Sequence, residues 1–191
     1  MSPLVFQILG FFLLLFPLWT LRARGARMGG FEHRVWPGGR NLVLAICDVL
    51  RAAAGAGLLV RMPVDLPVLD GLGVWGNPLV VGVAVALGFA VQTLVWRDDD
   101  HAFAPVAFGL GVAATAMHPL VLAIALPLAI GTAIAVRAWA AGFIAAGVGL
   151  VGVGLAVEQQ DWRLGLFVGT AFFVPVLISL MAGRHLGWPR K

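Results

Sequence analysis

The sequence predicts an all-α fold, a polytopic membrane helical bundle of about seven transmembrane helices with the amino terminus outside and the carboxyl terminus inside. Three observations carry this expectation. The 191 residues are 61% apolar and only 12% charged, with a mean hydropathy of +0.97, a composition far from that of soluble domains. The apolar residues fall into seven runs, most of them close to the ~20 residues that cross a hydrocarbon core of about 30 Å. The basic residues, finally, are divided unequally between the two sets of alternating loops, as the positive-inside rule requires.

The first run, Leu4 to Leu21, has its positive charges after the apolar stretch. A cleavable signal peptide has the reverse order, so this run is expected to stay as a span. The second, Asn41 to Val60, is long enough to cross the bilayer yet carries Asp48 and Arg51 within it. Residues three apart share a helical face, so each is the other's nearest counter-charge. An unpaired charge at that depth costs at least ~2.5 to 3.5 kcal/mol. Asn41, seven residues before Asp48, extends the same face, and Arg51 falls about 15 Å along the helix, near mid-bilayer.

The third run, Pro78 to Trp96, contains Gln92, able to hydrogen-bond across the bundle. The fourth, Phe103 to Met117, is the shortest. Asp98, Asp99 and Asp100 precede it and are expected to cap its amino end, because consecutive carboxylates point apart and do not converge on a metal. The fifth and sixth, Pro119 to Val136 and Ala138 to Val157, are parted only by Arg137, and the seventh covers Leu164 to Met181. Pro127 and Pro175 predict kinks in the fifth and seventh spans. The stretches AAAGAG and AAGVGLVGVGLA predict close helix packing. A weak internal repeat, NPLVV at Asn77 against HPLVL at His118, suggests parallel hairpins of spans three with four and five with six.

This division makes residues 1–191 a single transmembrane domain with a cytoplasmic loop at 22–40 and an outer loop at 61–77. Ten of the 13 Lys and Arg residues then fall inside (Arg22, Arg24, Arg27, Arg34, Arg40, Arg97, Arg137, Arg184, Arg190 and Lys191). Arg61 and Arg163 fall outside, and Arg51 within a span. Trp19, Trp36, Trp75, Trp96, Trp139, Trp162 and Trp188 all fall at span ends or in flanking loops, where amphipathic rings anchor at the headgroups. Asp65 and Asp70 in the outer loop are too few for a hard-cation site.

The single cysteine, Cys47, excludes an internal disulfide and is expected to be a small packing residue. His33, His101, His118 and His185 sit at interfaces or in loops and do not supply paired ligands at one depth. The sequence names no cofactor and no metal site. It carries no GxSxG, HExxH, CxxC, P-loop or Rossmann fingerprint, so no catalytic residue is assigned. The net charge of +4 comes from Arg residues scattered beside spans, which orient the chain in the membrane and do not mark nucleic-acid binding.

The functional expectation is a small multi-pass protein of the inner membrane. Its leading form is an oligomeric channel or transporter with a polar path or ion site at Asn41, Asp48, Arg51 and Gln92. The alternative is a non-catalytic accessory or scaffold subunit of a larger membrane complex, and a lipid-active membrane enzyme ranks third. Expected partners are the lipid bilayer and either further copies of the chain or other membrane subunits.

Overall fold

A computed structural model describes residues 3–19, 28–29, 39–62, 71–95, 100–157 and 162–189. Among them are seven helices: α1 Pro3–Leu15, α2 Gly39–Arg61, α3 Gly76–Val95 behind a 3-10 turn at Gly73–Trp75, α4 Val106–Ala116, α5 Pro119–Val136, α6 Trp139–Val157 and α7 Trp162–Met181. Five of them, α2, α3, α5, α6 and α7, are long and apolar enough to cross a membrane. The chain is thus an all-α helical bundle with the character of an integral membrane protein. The two short helices, α1 with 13 residues and α4 with 11, end where proline dictates.

Sequence periodicity runs the first span on to Leu21, but α1 stops at Leu15. Pro17 has no N–H to give the Leu13 carbonyl, and the last helical bond is from the Phe16 N–H to the Phe12 carbonyl at 2.9 Å. The fourth span likewise starts later than its apolar run. Pro105 pushes the residue before it into extended backbone and is itself suited to a helix start, so α4 begins only at Val106. Pro105 is the capping residue, without a side-chain bond, and Asp100, one of the three aspartates expected to cap this helix, lies further back with its carbonyl accepting from the His185 N–H at 3.1 Å. Asp98 and Asp99 lie outside the described residues.

Pro175 interrupts α7, which divides into Trp162–Ala171 and Val174–Met181 around a turn at Phe172 and Phe173. Pro127, by contrast, sits inside an unbroken α5. That helix is capped at its start by His118, whose Nδ1 accepts from the Leu120 N–H at 3.2 Å. It closes on Arg137 in the left-handed region (φ 55°), with the Ala138 N–H returning to the Ala133 carbonyl at 3.1 Å.

One element has no counterpart in the sequence reading. Three short strands, β1 Met28–Gly29, β2 His101–Phe103 and β3 His185–Pro189, form a sheet in the order β1-β3-β2. β3 runs antiparallel to β1 and parallel to β2, pairing His101 with His185 and Phe103 with Gly187. This sheet gathers the first loop, the third connection and the tail at one end of the bundle, the end where α2, α4 and α6 begin. It is called the sheet end below.

Packing follows the small residues. α1 and α2 lie antiparallel and cross where Gly10 meets Gly55; a Cβ on Gly55 would stand 3.0 Å from the Gly10 carbonyl. α4 lies on α2 at Gly111, where any side chain would run into the Val49 carbonyl and Ala52. α5 pairs along α6, α6 along α7, and α3 along α7. Spans five and six are therefore a tight hairpin whereas three and four are not, and the hairpin repeat suggested by NPLVV and HPLVL has no counterpart in the packing. The core centres on Phe89, with Phe108 and Phe172 each edge-on at 4.9 Å between ring centroids. Cys47 is exposed on the outer face of α2, contrary to the expected packing role. The reason is its place beside Asp48: the helix face that buries the charge turns its neighbour outward.

The described tryptophans gather at the two ends. Trp75 and Trp162 meet edge-on at 5.3 Å, with the Arg163 guanidinium 4.8 Å from the Trp75 ring. At the sheet end Trp19, Phe103, Trp139 and Trp188 form a second aromatic cluster, with Trp188 touching the other three rings. Trp36 and Trp96 lie outside the described residues.

Candidate functional site

Helix α2 carries Asp48 and Arg51 inward, and two features of the neighbouring elements complete their surroundings. Side chains on a helix lean toward its amino end, so the Arg51 guanidinium reaches back to the level of Asp48. Its Nε and Nη2 donate to Asp48 Oδ1 at 3.1 and 2.5 Å. Its Nη1 donates to the Leu13 carbonyl of α1. That carbonyl is vacant because Pro17, four residues on, has no N–H; the proline that ends α1 creates the acceptor that Arg51 fills.

The other carboxylate oxygen is served from two further directions. Trp19 Nε1 donates to Asp48 Oδ2 at 3.3 Å. Gln92, from α3, has its amide oriented to satisfy both of its groups: the nitrogen donates to Asp48 Oδ2 at 3.3 Å and the oxygen accepts from Arg51 Nη2 at 2.7 Å. Phe108 of α4 covers the guanidinium, its ring centroid 5.5 Å from Cζ. Four helices thus converge on one ion pair, in which Asp48 is 0% exposed, Gln92 2% and Arg51 8%.

This knot sits nearer the sheet end than the depth of Arg51 along α2 suggests. Gln92 is three residues from the end of α3, and Trp19 belongs to the aromatic cluster at that end. Trp19 is therefore not the lipid-facing anchor expected from its position: it is 2% exposed and spends its N–H on Asp48. Asn41 is buried (1% exposed) two turns toward the sheet end on the same face of α2.

The structure therefore brings together Asp48, Arg51 and Gln92, and adds Trp19, the Leu13 carbonyl and Phe108. Only the spacing of Pro17 from Leu13 could have signalled the carbonyl in advance. Four hydroxyls within the helices are used locally. Thr93, Thr115 and Thr170 donate to the Phe89, Gly111 and Phe167 carbonyls at 2.8, 3.1 and 2.9 Å, and Ser179 bonds the Arg184 carbonyl. Among the described residues no group of His, Cys, Asp or Glu converges as metal ligands would.

A second feature is a cleft of about 400 Å³ between α2, α4, α5 and α6, lined throughout by Ala, Gly, Val, Leu, Ile, Phe and Trp. No family model matches the chain, and no curated protein or solved structure is significantly similar to it.

Proposed function

We propose that this chain is a non-catalytic scaffold or accessory subunit of the inner membrane, whose buried ion pair holds the bundle together and whose outer faces meet other membrane components. One observation carries the reading. Both oxygens of Asp48 and every nitrogen of Arg51 are engaged within the fold, with four of the five guanidinium N–H groups given to Asp48, the Leu13 carbonyl and Gln92. A transport site holds its cargo with groups that are otherwise short of partners; this one is closed on itself.

The exposure of α5 supports the same reading. Only 17% of its apolar window is buried inside the chain, and Leu120, Ile124, Leu128, Ile134 and Val136 all face outward. In the proposed orientation the sheet end is cytoplasmic, where the arginine-rich first loop and the tail place most of the positive charge. Arg61 and Arg163 mark the opposite side.

Extraction in mild detergent should then recover the chain with stoichiometric membrane partners or as a defined oligomer. In proteoliposomes, Asp48→Asn should alter stability without abolishing any flux. A monodisperse single chain whose solute flux disappears in a folded Asp48→Asn variant would replace this reading by transport.

A further inference from the structure

The apolar cleft rests on none of the scaffold argument, only on the membrane character of the helices. Its rims are outward-facing residues, Leu42 and Ile46 of α2 on one side and Leu126, Ile130 and Ile134 of α5 on the other. It therefore opens sideways, toward hydrocarbon, with α4 as its floor and α6 as its back wall. Its size is selective. From Leu122 to Ile134 it follows α5 for roughly 18 Å, a little more than the half-thickness of a bilayer core. Spread over that length, 400 Å³ corresponds to a cross-section of roughly 22 Å², room for one methylene chain. A helix about 10 Å across would need roughly three times the volume.

The sheet end of the cleft is different in chemistry. Trp139 and Trp188 line it, and Trp188, 6% exposed, has an indole N–H with no acceptor among the described residues. The exposed Arg137 occupies the left-handed turn between α5 and α6, between the lining residues Ile134 and Trp139 in the chain. α6 begins two residues later, so its first N–H groups and positive dipole end follow Arg137 within one turn of chain. A hydrocarbon slot one leaflet deep, ending at a cation and a helix amino end, fits an acyl chain whose own end bears a negative charge.

We propose that the cleft binds one acyl chain of an anionic phospholipid, its phosphate held at Arg137 and the amino end of α6. The site is specific for the charge at one end and indifferent to chain chemistry beyond length. It uses no member of the Asp48 network, so it stands or falls independently of the scaffold reading.

The test is native mass spectrometry of the full chain, delipidated and then titrated with phosphatidylglycerol or phosphatidylcholine. The wild type should retain one phosphatidylglycerol at least ten times more strongly than phosphatidylcholine. Arg137→Asn, which keeps a residue tolerant of the left-handed turn, should erase that preference. Ala129→Phe, which fills the slot from α5, should reduce retention of both lipids, with thermal melting as the check on folding. Equal retention of both lipids by the wild type, the behaviour of annular lipid, overturns the proposal. So does undiminished preference in Arg137→Asn, or a free fatty acid retained in place of phospholipid. Should Ala129→Phe fail to fold, quenching of tryptophan emission by phosphatidylglycerol brominated along its chains decides: Trp139 and Trp188 should be quenched more in wild type than in Arg137→Asn, and equal quenching refutes the site.

Discussion

Replacing Arg51 with methionine keeps the apolar reach of the side chain and removes its charge, leaving Asp48 fully buried with only Trp19 and Gln92 to satisfy it. Breaking a buried pair from one side costs about 3 to 5 kcal/mol, since the remaining charge is uncompensated. The Leu13 carbonyl also loses its donor, and Pro17 prevents α1 from supplying another, adding about 1 kcal/mol or more. For a chain of this length each kcal/mol moves the melting temperature by about 2 to 4 °C, so Arg51→Met should melt about 10 to 20 °C below wild type. The double variant Asp48→Leu/Arg51→Met removes both charges and leaves only neutral groups unsatisfied. It should recover most of the loss, ending within about 1 to 3 kcal/mol of wild type. The assay is thermal unfolding in detergent followed by tryptophan emission and by size-exclusion recovery, for both single variants and the double. A single variant that melts within about 2 °C of wild type, or a double that melts as low as the worse single, would refute the argument.

Trp19→Phe preserves ring packing against Phe103 and Trp188 but deletes one donor to Asp48, and should cost about 1.5 to 3 kcal/mol by the same melting assay. Gly111→Ala forces a Cβ into the Val49 carbonyl and should destabilise by about 1 to 3 kcal/mol, while Gly57→Ala, on the same bundle with open space around it, should be neutral or stabilise by up to about 1 kcal/mol. Cys47, the single thiol and exposed on α2, should be protected from a charged thiosulfonate in intact membranes and react with it once the chain is denatured, because the reactive thiolate does not form in hydrocarbon; rapid modification in intact membranes would contradict a lipid-facing α2.

The helix content was legible because it rests on local physics. Apolar runs of membrane-spanning length, interrupted by charge and proline, lie where the helices lie, and α5 matches its run from Pro119 to Val136. Errors of boundary occurred where a single proline outweighed hydropathy, at Pro17 and Pro105. Both residues were visible in the sequence, and the backbone rule they obey is a local one. The sheet was not legible in the same way. Its strands are two, three and five residues long, and they come from three distant segments whose pairing supplies their hydrogen bonds.

The candidate site divides along the same line. By itself the sequence determined that Asp48 and Arg51 are costly to bury, that they share a face of one helix, and that Gln92 is the other deep amide. Those follow from spacing and solvation. Tertiary structure decided what the pair does with its remaining valences: the Leu13 carbonyl freed by Pro17, the Trp19 indole and the Gln92 amide close around it from separate elements. It also decided that α2, α4, α5 and α6 leave a hydrocarbon slot between them. Hydrogen bonds and cavities among distant segments depend on how helices pack, and packing is set by small residues meeting across the bundle, Gly10 with Gly55 and Gly111 with Ala52, in pairings no single run of sequence specifies.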